Sequence, residues 1–451
     1  MSILLPTPTQ LRQRSPAAMR VVEQLQAAGF ETFFAGGWVR DLILERDSKD
    51  IDIATRARPD QVEALFPRTH AIGKAFGVIQ VVEDDDVFEV ATFRRDLAYQ
   101  DGRRPKGYEP SSPEEDAGRR DFTINGLFLD PVKGELRDYV NGVADLRSGI
   151  IRAIGEPALR FQEDHLRMLR ALRFASVLEF DIEQETRCAI CELAPLLTKV
   201  SAERIRIEFV RLLTESPRAG DGVQMLHDCG LLVHILPELL ACIDCSQPPK
   251  FHPEGDVWTH TLMMLNELSD PSPELALSVL LHDIGKPATR SEEGGRIRFQ
   301  GHAQTGAEMA EAWMRRMKFS KAQTRTVTGL VHRHMDMMNV PKMRKATLRK
   351  IVSREVFEEE LELHRVDCLC SNGIQKSREI LLEARRKFEA DAALPDPWIT
   401  GRDLLDLGFT PGPEIGKWKH LAYEQQLEGR FPDKIALLNW VTLNRKNGRG
   451  N

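Results

Sequence analysis

Asp50 and Asp52 stand two residues apart. On a strand, carboxylates at that spacing share a face and can hold Mg2+ between them. Nine residues before Asp50, the stretch Gly36-Gly37-Trp38-Val39-Arg40-Asp41 ends. Glu31 to Ala35 reads as a short buried strand, the glycines as a tight turn, and Val39 to Leu44 as the following helix. A helix start points unpaired N–H groups and a positive dipole end at whatever lies over the turn, which suits a triphosphate. Arg40 adds a charge there. Either half alone is ordinary, since Gly-Gly is usually only a turn and an exposed Asp-x-Asp is usually solvated. Downstream, Asp116-Ala-Gly-Arg119-Arg120-Asp121-Phe-Thr-Ile-Asn125-Gly carries more polar groups than core packing asks for, and its arginine pair can neutralise phosphates.

Taken in order, GGWVRD, KDIDIAT, RRDFTING, RFQEDHLRMLRALRFA and SAERI resemble the polymerase-β-like nucleotidyltransferases, and among them the class II tRNA nucleotidyltransferases, or CCA-adding enzymes. The resemblance runs from about Phe33 to Leu213. It implies a small mixed α/β head that binds CTP and ATP, Mg2+ held by Asp50 and Asp52, and tRNA as the partner. The 3′-hydroxyl of the RNA would attack the α-phosphorus, and pyrophosphate would leave. Glu89, on an expected neighbouring strand, is a candidate third catalytic carboxylate. The nucleotide-binding candidates are Gly36, Gly37, Arg40, Arg119, Arg120, Asp121, Asn125, Asp164, Arg167, Arg170 and Arg173. Ala71 to Val78 looks like the glycine-rich strand pair of the CCA type and lacks the Arg-Arg-Phe expected of bacterial poly(A) polymerases. Tyr99 to Pro105 resembles a mobile loop kept by CCA- and A-adding members.

Asp164 and Arg167 lie three apart in an apparent helical run and so share a face. A carboxylate only accepts hydrogen bonds and a guanidinium only donates them. Cytosine and adenine each offer an amino donor beside a ring-nitrogen acceptor, so one Asp–Arg pair can read both. Uracil and guanine set acceptor against acceptor and donor against donor, at about 1–3 kcal/mol per mispaired buried group. Arg170 and Arg173 continue the spacing along a basic flank. A solvated arginine stripe on an amphipathic helix is the plainer alternative.

His260, His282-Asp283, His302, His332 or His334, and Asp367 form a second constellation resembling an HD domain, the metal-dependent phosphohydrolase fold. Six of the chain's 12 histidines fall between residues 252 and 334. Imidazole with carboxylate suits Mn2+, Mg2+, Fe or Ni2+. Spacing favours His334 over His332 as the ligand. Hydrolysis of phosphomonoesters or 2′,3′-cyclic phosphates is what the resemblance implies, with a tRNA-holding scaffold as the alternative.

The fold class expected is α+β, and 451 residues allow several domains. They are read as a catalytic head over 1–150, an all-α neck reading the base over 151–215, a helical HD domain over 216–388 and a helical, tRNA-binding tail over 389–451. Hydrophobic residues at 42%, charged residues at 29% and a net charge of −6 are ordinary for a globular protein, with local basic runs such as Arg103 to Lys106 and Lys342 to Lys350. No apolar run reaches membrane-spanning length, and Met1 to Arg20 lacks the apolar core of a signal peptide, so no membrane and a cytoplasmic location are expected. Cys188-x-x-Cys191 and Cys242-x-x-Cys245 are too far apart for a zinc ribbon, and the first pair should simply pack on a helix. Two rivals remain within the same chemistry, an A-adding tRNA nucleotidyltransferase and a poly(A) polymerase. From another class comes an HD phosphohydrolase with an RNA-binding head.

Overall fold

Thr32–Ala35 is a run of four residues without a charge, and the chain buries all four in the middle of a sheet. The sheet has seven strands in the order Glu135–Asp138, Leu127–Asp130, Thr32–Ala35, Asp52–Thr55, Asp86–Thr92, Val78–Glu83 and Thr69–His70. Its pairs are antiparallel except that Asp52–Thr55 runs parallel to Asp86–Thr92. Register places Asp52 opposite Ala35 on one side and Glu89 on the other. The first Asp of the pair departs from expectation. The strand begins at Asp52, so Asp50 lies on the approach to it and not on the strand. Phe33, Phe93 and Phe128 fill the core beneath, with ring centroids 6.0 to 6.1 Å apart.

The computed structural model describes residues 5–48, 50–97, 99–100, 104–105, 107–250, 252–388 and 394–446. Part of the expected loop at Tyr99 to Pro105 therefore lies outside the described residues. Its described ends pair as short antiparallel strands, Tyr99–Gln100 with Arg104–Pro105. Ala71 to Val78 is not a strand pair. Gly73 and Gly77 both take left-handed backbone and flank a 3-10 turn at Lys74–Phe76, which feeds the Val78–Glu83 strand.

The chain divides into two compact units. The first takes in Met1–Leu240 with Leu268–Pro273 and Arg316–Lys318, and the second takes in Ala241–Glu267, Glu274–Arg315 and Phe319–Asn451. In the first unit, the helix Leu166–Leu178 is buried at every position but Arg170 and packs against Ala202–Glu215 and Ala219–Asp228. A short parallel strand pair, Ile150–Ile151 with Asp181–Ile182, interrupts the expected all-helical pattern.

The second unit is helical around the helix Pro273–Leu281, which it shares from Glu274 onward and whose seven residues from Leu275 to Leu281 are all buried. A hairpin, Arg290–Glu293 with Arg296–Phe299, is a further departure from the helical expectation. Gly285 lets the backbone close up: a Cβ there would meet the His302 carbonyl oxygen at 2.3 Å and the Gly306 nitrogen at 2.6 Å. At the end of the chain, Phe409, Trp418, Leu437 and Val441 make a small core of their own. The Thr410-Pro-Gly-Pro413 turn joins helices Gly401–Asp406 and Pro413–Leu427 as read. No described helix is long and apolar enough to cross a membrane. All seven cysteines are free, and Cys188 and Cys191 are exposed on their helix instead of packing inward.

Candidate active site

Gly36 takes φ of 72° and caps the helix Gly37–Ile43, which begins where the central strand ends. A Cβ at Gly36 would come within 2.8 Å of Arg120 Nη1 and 3.4 Å of Asp52 Oδ2. The turn thus requires glycine on two counts, backbone sign and close approach. Over it lies a cavity of about 420 Å3, lined by Gly36, Gly37, Arg40, Asp50, Asp52, Arg119, Arg120, Asp121, Asn125, Asp164, Arg167, Arg170 and Arg173. All eleven nucleotide-binding candidates and both aspartates come together there. Glu89 is opposite Asp52 in the sheet but is exposed and does not line the cavity.

Asp52 opens onto the cavity, and its carboxyl is raised above the usual range. Loss of water to the surrounding protein is the main cause, Arg120 opposes it, and repulsion from Glu89 and Asp50 adds to it. Asp50 and Asp52 both line the cavity, and a pair of carboxylates there suits a hard divalent cation, so the residues fit Mg2+.

Behind the acids, buried charge is paired in a chain. Arg40 donates to Asp41 Oδ1 at 2.7 Å and to Asn125 Oδ1 at 2.7 Å. Asn125 donates to Asp121 at 3.0 Å, and Asp121 takes two bonds from Arg170 at 2.9 and 2.8 Å. Arg170 reaches Glu208 at 3.2 Å, and Arg173 donates to the other Glu208 oxygen at 2.6 Å. Burial would raise Asp121, but Arg170 and Asn125 hold it well below the usual carboxylate range. Phe174 carries three guanidinium groups over its ring, Arg40 at 5.0 Å, Arg170 at 5.2 Å and Arg173 at 4.0 Å. A solvated arginine stripe is thereby ruled out, since Arg173 is 2% exposed.

Asp164 and Arg167 do not share one continuous helix. Pro157–Glu163 ends at Asp164, whose backbone is extended, and the next helix starts at Leu166. The break comes because the Asp164 side chain accepts from Leu166 N at 3.1 Å, as turn-forming aspartates do. Both side chains still reach the same cavity. Arg204 braces Asp164 at 2.7 Å, and Glu163 braces Arg167 at 2.6 Å. Arg204, Glu208 and Arg211 were not singled out in the sequence, and Asp41 was quoted only as the end of the Gly36 to Asp41 stretch. Arg204 stands inside the quoted SAERI motif, and Glu208 lies one helical turn further on, so the signal was present.

The second constellation gathers in the second unit, where three groups of potential ligand atoms each lie within 4.8 Å: His260, His282 and Asp367; Asp283, His302 and His334; and His252, Glu254 and His260, the last including two residues the sequence had not offered as ligands. His334 is buried and belongs to the Asp283–His302–His334 group, whereas His332 is exposed and belongs to no such group among the described residues. His302 and His334 face each other Nε2 to Nε2 at 3.2 Å. Their Nδ1 atoms contact the carbonyls of Phe299 and Val331, which assigns the proton to Nδ1 in each and turns two lone pairs toward one another. His260 Nδ1 and Nε2, His282 Nε2 and Asp283 Oδ1 are buried with charged neighbours at ion-pair distance but no well-formed hydrogen bond. Such atoms are what a bound cation satisfies, so the residues fit a metal site.

Protonation follows the same geometry. Burial lowers His334 to about 4 against the pull of Asp283, and it lowers His302 as well. Burial would also lower His260, but Asp367 and Glu254 push it up to about 9. Asp283 is held well below the usual range despite burial, by His282 and Lys286. Lys286, Nζ 2.6 Å from Asp283, was not foreseen; nor was Glu254. A cleft of about 470 Å3 opens over Asp283, His302, His334 and Asp367, walled by Ile297, Phe299, Met335 and Met338.

Three family models match: the poly A polymerase head domain over residues 32–152, the probable RNA and SrmB-binding site of polymerase A over 179–243, and the HD domain over 256–393. A CCA-adding enzyme of Lactobacillus helveticus is 47% identical over 295 residues, covering 62% of this chain and 70% of the relative. Another, from Bacillus licheniformis, is 46% identical over 215 residues, covering 48% of this chain and 54% of the relative. The matched stretch spans about half the length of the first curated relatives. Among solved structures, the Bacillus stearothermophilus CCA-adding enzyme in complex with CTP superposes with a TM-score of 0.74 at 26% identity, over 96% of this chain and 98% of that one. The Thermotoga maritima CCA-adding enzyme complexed with tRNA shares the fold, with a TM-score of 0.54 at 18% identity over 94% of each chain.

Proposed function

Because this chain belongs to the family of CCA-adding enzymes, we propose that it is a template-independent tRNA nucleotidyltransferase that adds CCA to tRNA 3′ ends from CTP and ATP. The observation that carries this reading is the meeting of Asp50 and Asp52 with the arginine network and the Asp164–Arg167 pair around one cavity.

The reaction joins the 3′-hydroxyl oxygen of the RNA to the α-phosphorus and breaks the bond to the bridging oxygen, releasing pyrophosphate. Mg2+ held by Asp50 and Asp52 would supply acidification of the attacking hydroxyl and neutralisation of the leaving group. The chain's own part is positioning and charge. Gly36 and Gly37 let the triphosphate approach the helix start, and Arg119 and Arg120 offset its charge. Asp164 accepts the amino hydrogen of cytosine or adenine while Arg167 donates to the ring nitrogen, each braced so that the pair keeps its register. Glu89 would serve as a third acid beside Asp52.

The HD cluster favours a second, hydrolytic activity on phosphate esters, on the strength of the ligand groups His260–His282–Asp367 and Asp283–His302–His334. Mn2+, Mg2+, Fe or Ni2+ would suit its donors. Incubating the protein with tRNA lacking its terminus and CTP alone, ATP alone, then both, tests the main reading. Incorporation of C and then A is expected. Incorporation of A alone would leave the A-adding reading, and extension into a long A tract would mark a poly(A) polymerase. No incorporation at all would leave the hydrolase with an RNA-binding head.

A further inference from the structure

Four imidazoles converge in the HD cluster, and three of them fix their outer nitrogen in the same way. His282, His302 and His334 each place Nδ1 on the carbonyl three residues upstream, at 2.8, 2.8 and 2.6 Å. His282 and His334 directly follow helices, where carbonyls of the last turn lack an amide partner, and His302 opens one after a strand. His260 has no such opportunity. It lies inside the helix Val257–Asn266, and the carbonyl three residues back, that of Val257, is taken by the Thr261 hydroxyl at 2.8 Å.

Glu254 fills that gap. Its Oε1 lies 2.7 Å from His260 Nδ1, and the same oxygen lies 2.8 Å from His252 Nδ1. The Glu254 side chain is 4% exposed and His260 is fully buried, so water does not compete for the contact. On its other side, His260 Nε2 faces Asp367 Oδ1 at 3.3 Å and shares a ligand group with His282.

We propose that Glu254 is a positioning residue that holds the Nδ1 side of His260 and so aims Nε2 at the cation. This rests on the reading that the HD cluster binds a divalent metal. A carboxylate on the outer nitrogen of a ligating imidazole fixes ring orientation and makes the inner nitrogen a better donor. Without Glu254, His260 would be buried with neither a carbonyl nor a carboxylate behind it. The segment that supplies Glu254 is the proline-containing stretch Ser246 to Gly255, so the entry to the HD region contributes to its metal site.

The test uses the full chain carrying Asp50→Ala and Asp52→Ala, which removes the head's acids, with Mn2+ as the probe and the free-ion paramagnetic signal as the readout. Glu254→Ala is expected to weaken Mn2+ binding about tenfold to a hundredfold without changing the number of ions bound. Glu254→Gln, which keeps an acceptor oxygen, should recover part of that loss. Circular dichroism without metal checks that each variant is folded; should Glu254→Ala fail to fold, weakened binding by folded Glu254→Gln still supports the proposal. Parental affinity in both variants overturns it. Loss of one whole ion makes Glu254 a ligand and overturns it too. Absence of Mn2+ binding by the parent would sink the metal reading itself, a failure distinct from that of Glu254.

Discussion

The head-and-neck cavity and the HD cluster handle buried charge in opposite ways. Around the cavity, carboxylates answer guanidinium groups: Asp116 pairs with Arg119 and Arg120, Asp121 with Arg170, and Glu208 with Arg170 and Arg173. In the HD cluster, His282 Nε2 and Asp283 Oδ1 make ion-pair contacts at 3.0 to 3.7 Å but no hydrogen bond, and two imidazole nitrogens face each other. The first arrangement is organised before substrate arrives, at the cost of several buried ion pairs. The second offers atoms that a cation would satisfy, so on the proposed metal reading its stability is tied to the ion.

The contrast can be broken most sharply at the acids. Asp52→Ala should lower nucleotide incorporation about a thousandfold or more, the scale of losing preorganised stabilisation of developing charge, while Mn2+ binding at the HD cluster stays unchanged. Primer-extension rates beside Mn2+ titration check both halves. Glu208→Ala should cost about 3–5 kcal/mol of stability, because it leaves the buried Arg173 with only the longer contact to Glu215 at 3.7 Å, while Arg170 keeps Asp121. Urea unfolding followed separately by head and HD probes would show whether that loss stays in the first unit. Metal should act on the second unit instead: in the variant lacking Asp50 and Asp52, Mn2+ at a hundred times its dissociation constant should stabilise the HD unit by about 2.7 kcal/mol, reversed by chelator. An unchanged melting profile would break the comparison.

The smallest effect concerns acid. Asp121 is depressed in the folded chain, so its contribution is fully present above the unfolded value of about 3.9 and is lost as pH falls below it toward the folded value. The stability gap between the parent and Asp121→Asn should therefore be widest near neutrality and narrow below about pH 4. Denaturation midpoints at pH 6, 4 and 3 measure it, and a constant gap would count against the pairing.

Much of the cavity in the first unit was legible because its residues come in short runs whose local geometry is set by neighbours. Gly36 and Gly37 mark a turn, and Arg167, Arg170 and Arg173 follow a helical period. Legibility failed where a side chain overrode that period. Asp164 ends one helix by bonding forward to Leu166, and Asp50 stops short of the strand that begins at Asp52. Partners from distant segments were also hidden. Glu208 meets Arg170 and Arg173 from 35 to 38 residues away, and Arg204 meets Asp164 from 40. The hairpin beside the HD cleft was missed because Arg-Ser-Glu-Glu has no apolar alternation, and its strand is exposed throughout.

From the chain of residues alone came the chemistry available: which groups accept, which donate, which can ligate, and which helices or turns carry them. Local spacing decides that, because backbone geometry repeats over a few residues. Only the tertiary structure decided which of those groups are partnered and which are left open. His334 over His332, the bracing of Asp164 by Arg204 and the contact of Glu254 with His260 all depend on segments brought together by packing, and burial, which sequence period does not encode for a single side chain, sets what each contact is worth.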